Sequence, residues 1–314
     1  MRRAWLPAFG TAILVAGIAV TGLGTARANR EASPVPIAGG QFQASAVVHV
    51  PGTRQFLFVD DDRYSDLFEI EIGVDGKQRG EARRVPLSAR VTDMEGLTSD
   101  GQYFYAVGSQ SKPTGSDGDG LVRFRYDAAS RRAIEVERIV GLKAWLAHHV
   151  TELAGTERAL GDHVLNVEGL AWDPFEKRLL LGLRAPVIDG SALLVPVRLE
   201  NETVPFTREH LRLAGETIHL PLHGAGIRSI EFDESVRRFR IITGASLNEE
   251  TLDFRILEWD GKQASVPNAI ARYGKTLKPE GLTMAHDRVT NALVIVFDTG
   301  LLLVTRQEIA RNSR

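Results

Sequence analysis

One local pattern recurs along the chain and constrains its fold more than any bulk property does. Its clearest copy is Asn166-Val167-Glu168-Gly169-Leu170-Ala171-Trp172-Asp173, followed across a polar turn by Arg178-Leu179-Leu180-Leu181-Gly182-Leu183-Arg184. Two apolar runs joined by a short turn rich in Gly, Pro, Asp or Asn read as a β-hairpin. Weaker copies begin at Ser45, Met94, Ile227 and Pro279, and their second runs lie around Phe56–Val59, Tyr103–Val107, Phe239–Ile242 and Leu293–Phe297. Both runs of each copy are apolar almost throughout, as expected of strands buried on both faces.

More amphipathic runs follow each hairpin, such as Asp66–Ile72, Leu121–Tyr126, Ala192–Val197, Phe254–Trp259 and Leu301–Val304. Alternation of apolar and charged side chains suits outer strands with one wet face. Buried inner strands followed by wetter outer ones, repeated along a chain, predict an all-β fold: a single β-propeller. The repeat count gives five blades, with six as the alternative if an inter-repeat stretch hides a degenerate unit. A two-domain β-sandwich is the outside alternative, although no linker divides the chain. The repeats are spaced wider than the roughly 40–45 residues of a minimal four-stranded blade, so insertions are expected. Leu142, Trp145, Leu146, Val150 and Leu153 recur at helical spacing between Gly141 and Gly155, which predicts an amphipathic helix packed on the propeller edge. Arg208 to Gly215 reads as a short helix or a loop. Little chain follows the last hairpin, so the segment around Val35 to Phe42 is expected to supply an outer strand and close the ring, removing an exposed sheet edge.

The first residues read as a targeting signal. Arg2 and Arg3 precede an apolar run from Ala4 to Leu23, and Ala26-Arg27-Ala28 supplies a small-x-small cleavage pattern. The expected division is a signal peptide over 1–28 and a propeller domain over 29–314. Expected localisation is periplasmic or secreted; the alternative is an uncleaved anchor in the inner membrane, since the apolar run approaches the length of a span. With no cysteine in the chain, disulfides, zinc–thiolate sites and cysteine nucleophiles are excluded, and so is a lipidated N-terminus. The formal net charge is −2 without a long run of either sign, which argues against a nucleic-acid footprint. The expected mature protein is a mildly acidic monomer with no membrane contact beyond the signal.

In a propeller the first strand of each blade lines the channel, so its starting residue sits at one mouth and the end of the antiparallel second strand returns there. That logic gathers Glu95, Glu168, Arg228 and Glu280 at one mouth, with Ser45 in the fifth position. It brings Asp60, Asp61, Ser109, Arg184, Ser246 and Asp298 beside them, and sends the turn residues Asp100, Asp173, Asp233 and Asp287 to the opposite face. Candidate ligand-binding residues are Glu95, Glu168, Arg184, Arg228, Glu280 and Asp298. A candidate metal set is Glu95, Glu168, Glu280 and Asp60. Clustered carboxylates raise one another's pKa and can hold a hard cation such as Ca²⁺, and an arginine among them can grip an anion bidentately. A metal-bound water would permit hydrolysis. A structural reading stands beside these: each glutamate accepts backbone amides between blades, and each glycine permits close packing. Arg228 and Arg184 interrupt the repeat, which sets them apart from the glutamates.

Other motifs point to less. Asp60-Asp61-Asp62 has the acids to bind calcium, but reads first as a solvated loop with strand-end caps. Ser116-Asp117-Gly118-Asp119-Gly120 lacks the downstream glutamate of a calcium loop. His148 and His149 are adjacent and cannot form an i, i+4 metal pair; His163, His219 and His223 are isolated. No G-x-S-x-G elbow, P-loop or dinucleotide fingerprint is present.

The ordered motifs carry a resemblance. Asp93-Met94-Glu95-Gly96-Leu97, the stretch from Asn166 to Asp173 with Leu181-Gly182-Leu183-Arg184-Ala185-Pro186, Gly226-Ile227-Arg228-Ser229-Ile230-Glu231, and Pro279-Glu280-Gly281-Leu282 together resemble the bacterial family called domain of unknown function 3616, from about Ser45 to Thr305. The resemblance implies a propeller-like fold and no established activity. More distantly the pattern is similar to esterase-like phytase and lactonase propellers, whose Glu and Asp residues hold a divalent metal. Two functions follow as expectations. The first is an extracytoplasmic propeller that binds a small molecule or a partner's loop at its central funnel. The alternative is a metal-dependent hydrolase of phosphate esters, esters or lactones, with Glu95, Glu168, Glu280 and Asp298 as metal ligands and Arg228 and Arg184 holding the substrate's charge.

Overall fold

The computed structural model describes residues 33–91, 93–111, 119–158, 164–201, 204–246, 252–287 and 289–306. The signal segment 1–28 and most of the Ser116–Gly120 loop lie outside the described residues. A short β1 (Val35–Pro36) precedes the first blade, made of β2 (Ala44–His49), β3 (Gln55–Asp60), β4 (Asp66–Ile72) and β5 (Gln78–Pro86). The second blade comprises β6 (Met94–Ser99), β7 (Phe104–Gly108), β8 (Gly120–Asp127) and β9 (Arg132–Val140). Helix α1 (Leu142–His149) leads to the third blade: β10 (Asn166–Asp173), β11 (Arg178–Ile188), β12 (Ser191–Leu199), β13 (Leu211–Leu213) and β14 (Ile218–Pro221). The fourth holds β15 (Ala225–Asp233), β16 (Arg238–Ala245), β17 (Phe254–Trp259) and β18 (Asn268–Tyr273), and the fifth β19 (Pro279–His286), β20 (Asn291–Phe297) and β21 (Leu301–Arg306).

These strands form five antiparallel sheets, each ordered outward from its first strand. The inner strands touch their neighbours in the cyclic order β2, β6, β10, β15, β19 and back to β2, so the ring closes with five blades and not six. Closure follows the expected route. Val35 and Pro36 pair with Leu302 and Leu301 on β21, and the Ile37 amide donates to the Gly300 carbonyl. The hydrophobic core lies between adjacent sheets. One cluster joins Val107, Leu121, Leu170 and Leu181 across blades two and three; another joins Val47, Phe58, Val294 and Val296 across blades one and five.

The insertions differ in detail from the sequence reading. The apolar stripe of Leu142, Trp145, Leu146, Val150 and Leu153 is buried as expected, but the helix ends at His149. Val150 turns extended, at φ −108°, while its amide still donates to the Leu146 carbonyl, and two single 3₁₀ turns follow. In place of a plain helix or loop, Arg208–His210 forms a 3₁₀ turn and Leu211–Leu213 adds a strand to β12. With β14 pairing further along β12, blade three carries a fifth strand.

Every inner hairpin carries a β-bulge at the same place. The register of β2 on β3 shifts between Ala44 and Ala46, β6 on β7 between Met94 and Gly96, and β10 on β11 between Val167 and Gly169. It shifts again between Ile227 and Ser229, and between Pro279 and Gly281. The residue skipped each time is Ser45, Glu95, Glu168, Arg228 or Glu280, the five aligned ring positions. A bulge leaves its extra residue out of the ladder and re-aims its side chain. The residue after it meets the next blade. A Cβ on Gly96 would stand 2.7 Å from the Leu170 Cβ, and one on Gly281 2.6 Å from the Ala46 Cα. Glycine is needed there for close approach. Blade four has Ser229 at this position, and its hydroxyl accepts the Leu282 amide of blade five instead.

Candidate functional site

Bulges therefore deliver the five ring residues to one end of the channel, where an ion-pair chain links three of them, Glu168, Arg228 and Glu280, with Arg184. Glu168 is 3% exposed. Its Oε1 accepts Arg184 Nη1 at 2.9 Å and Asn166 Nδ2 at 3.1 Å. Its Oε2 lies 3.1 Å from Arg228 Nη1, and the same nitrogen donates to both oxygens of Glu280, at 2.9 and 3.1 Å. Arg228 rests over the Phe254 ring at 5.6 Å, and Arg184 Nε reaches the Ala245 carbonyl at 3.3 Å. One guanidinium thus spans blades three, four and five, and a second anchors blade three to blade four.

Electrostatics follow from this wiring. Burial opposes the Arg228 charge, but Glu168, Glu280 and Glu95 outweigh it and hold its pKa above the usual arginine value. Burial pushes Glu280 up to about 8, against the pull of Arg228. Glu95 stands apart. Burial raises its carboxyl well above the usual range, and the charges of Glu168, Asp93, Glu280 and Asp61 add to the shift. No hydrogen bond or ion pair to Glu95 forms among the described residues. Beside it, Asp61 is pushed up to about 7 by burial and by Asp62, Asp298, Asp60 and Asp93. Asp93 accepts the Ser109 hydroxyl and, at 3.3 Å, that of Ser111. Asp298 closes the rim in a 2.7 Å ion pair with Lys278. The mouth is therefore polarised among the described residues: arginines balance Glu168 and Glu280 on blades three to five, while Glu95 of blade two and Asp61 of blade one have no ion pair.

All six residues expected to bind a ligand come to this mouth, together with Asp60 and Asp61. The supporting bonds differ from the structural reading, because Glu168 and Glu280 accept arginine and asparagine side chains and not backbone amides among the described residues. The metal set also departs from expectation. Among the described residues no three His, Asp or Glu side chains stand together as a cation cage. The physical reasons are local. Arg228 sits between Glu168 and Glu280, and Asp60 turns its oxygens to the Gln43 and Asp62 amides, at 3.2 and 3.1 Å. The turn aspartates lie at the other end as expected: Asp287 accepts the Gly52 amide, Asp173 pairs with Arg178 and Asp233 with Arg240. His149 stacks on Trp145 and His219 meets Glu152 at 3.0 Å, while His163 lies outside the described residues.

One residue escaped the sequence reading. Glu231, on β15, crosses the channel one tier below Arg228. Its oxygens accept Thr283 Oγ1 at 3.2 Å and Thr98 Oγ1 at 3.5 Å, from blades five and two. The same hydroxyls accept the His49 and Trp172 amides of adjacent blades. Burial pushes Glu231 up to about 8, against the two hydroxyl bonds. A signal was available: three residues beyond each ring position the repeat reads Val48, Thr98, Ala171, Glu231 and Thr283, with one acid in a tier otherwise free of charge.

Residues 148–302 match the family model described as "Protein of unknown function (DUF3616)", the family the motifs resemble. Among solved structures, the chain is similar to the holo form of the pyranose dehydrogenase PQQ domain from Coprinopsis cinerea. The two are 10% identical, with a TM-score of 0.51 over 90% of this chain and 97% of that one. At that identity the likeness shows a shared propeller fold alone. A comparison with curated proteins finds no match.

Proposed function

We propose that the channel mouth binds a small ligand bearing a positively charged or donor-rich group, seated against Glu95 and Asp61. The observation that carries this reading is Glu95, a ring carboxyl with no donor among the described residues, beside neighbours already tied to arginines. An unsatisfied acceptor in a low-dielectric site costs free energy that a ligand's donor recovers. Asp61 Oδ1 and Asn166 Oδ1 are likewise buried acceptors without a protein donor. The arginine arc fixes the frame of the site and gives an anionic part of the ligand a place to turn. The metal-dependent hydrolase remains the alternative, but two of its carboxylates, Glu168 and Glu280, would first have to leave Arg228. In this reading the protein acts as an extracytoplasmic monomer.

A thermal-shift series tests the proposal. A ligand that binds only the folded state raises the midpoint. Putrescine, choline and Tris are compared with Ca²⁺, Mg²⁺ and Mn²⁺, the metals against a chelator-treated control. The expected result is a saturable rise with an amine that Glu95→Gln abolishes. A rise with a divalent cation and none with any amine would replace this reading with the hydrolase.

A further inference from the structure

We infer a second binding site, away from the channel. It is a cavity beneath the N-terminal strap that takes a small carboxylic acid carrying a hydrogen-bond donor on the adjacent carbon and an apolar side group. The strap leaves blade five at Ile37. Its Ala38 carbonyl accepts the Ala82 amide of blade one's outer strand, and it rejoins the first blade where the Gln43 amide donates to Asp60. Between these ties, residues 39–42 arch over a cavity of about 350 Å³ lined by Gly40, Phe42, Arg63, Asp66, Phe68 and Arg84, among others. The arch depends on Gly39. Its φ is +107°, and a Cβ there would stand 2.6 Å from the Ala82 nitrogen. The volume lies at the lower end of the range for small-molecule sites, roughly 300–1,000 Å³.

Three kinds of group converge on the cavity. The Arg63 guanidinium has no ion pair or hydrogen bond among the described residues. Arg84 places its Nε on Asp66 Oδ2 at 2.7 Å, and the amides of Gly40 and Gln41 find no acceptor among the described residues. These donors call for a carboxylate, which a planar guanidinium binds well. Asp66 has spent one oxygen on Arg84, while its Oδ1 is buried without a donor. That acceptor calls for an N–H or O–H on the ligand. Phe42, half-buried and edge-on to Phe58 and Phe68 at 5.3 and 5.1 Å, supplies an apolar wall. An α-amino acid with an apolar side chain answers all three, whether free or as the C-terminus of a peptide.

The test is calorimetric titration of the full chain with L-phenylalanine, N-acetyl-L-phenylalanine, 3-phenylpropionate and 2-phenylethylamine. L-Phenylalanine is expected to bind saturably. Phenylpropionate, lacking the donor, and phenylethylamine, lacking the carboxylate, should each bind at least tenfold more weakly. Tighter binding of the N-acetyl compound would assign the site to a peptide C-terminus, and tighter binding of phenylalanine to the free amino acid. Arg63→Ala removes no side-chain hydrogen bond or ion pair among the described residues, and it should weaken binding at least tenfold while the melting temperature stays within a few degrees of wild type. Asp66→Asn should bring phenylalanine down to the level of phenylpropionate. No binding at millimolar phenylalanine, unchanged binding by Arg63→Ala, or equal binding of phenylethylamine would each overturn the site.

Discussion

Glu231→Gln isolates the channel's second tier. Glutamine keeps the shape, and its Oε1 can accept one threonine hydroxyl while its Nε2 donates to the other, so the bridge from Thr98 to Thr283 survives. What disappears is the titration. Because burial raises the folded-state pKa of Glu231 to about 8 from the ordinary glutamate value of 4.5, the folded protein holds this proton more tightly than the unfolded chain. The stabilisation linked to the proton is complete below about pH 4.5 and is lost as pH rises through about 8. Each pH unit in that window is worth about 1.4 kcal/mol, so ionised Glu231 costs the wild type up to about 5 kcal/mol. At roughly 2–4 °C per kcal/mol for a chain of this size, Glu231→Gln should melt about 10–20 °C above wild type at pH 8.5 and within about 2–3 °C of it at pH 5. Thermal denaturation followed by circular dichroism at both pH values checks this. Glu95, Glu280 and Asp61 also carry raised pKa values, but they titrate in both proteins and cancel to first order in the difference. A melting offset equal at the two pH values, or a variant less stable than wild type at pH 8.5, would refute the reasoning.

Two further substitutions probe the frame. Arg228→Met removes the cation shared by Glu168 and Glu280 and leaves two buried carboxylates facing each other; urea denaturation at pH 7.5 should show a loss of about 3–5 kcal/mol. Adding Glu280→Gln should restore part of that loss, whereas two additive losses would mean that the chain of ion pairs is not coupled. Gly281→Ala drives a Cβ to 2.6 Å from the Ala46 Cα and 2.8 Å from Val296 Cγ2, so the same assay should give a loss of about 1–3 kcal/mol, and an unchanged midpoint would show that blades five and one are not in tight contact at the bulge.

The hairpins around Glu95, Glu168, Arg228 and Glu280 were legible because apolar runs and turn residues are local signals. Repetition then converted local signals into a ring, which placed Arg184 and Arg228 beside the glutamates correctly. The bulge was not legible. Glu-Gly-Leu looks like uninterrupted strand, and only the pairing register shows that the acid is skipped while the glycine packs on the next blade. That distinction decides what the glutamate does. A side chain within the ladder would be held by its own sheet; a bulged one is free to reach across blades, so its partner is set by the ring position opposite. Arg228 occupies one such position and binds the acids of the blades on either side. The interruption of the repeat is thereby the feature that allows the repeat to exist, since glutamates at every position would crowd uncompensated charge around a narrow channel. Glu95 lies farthest from that compensation, and it is where the ring's charge is left for something outside the protein to answer.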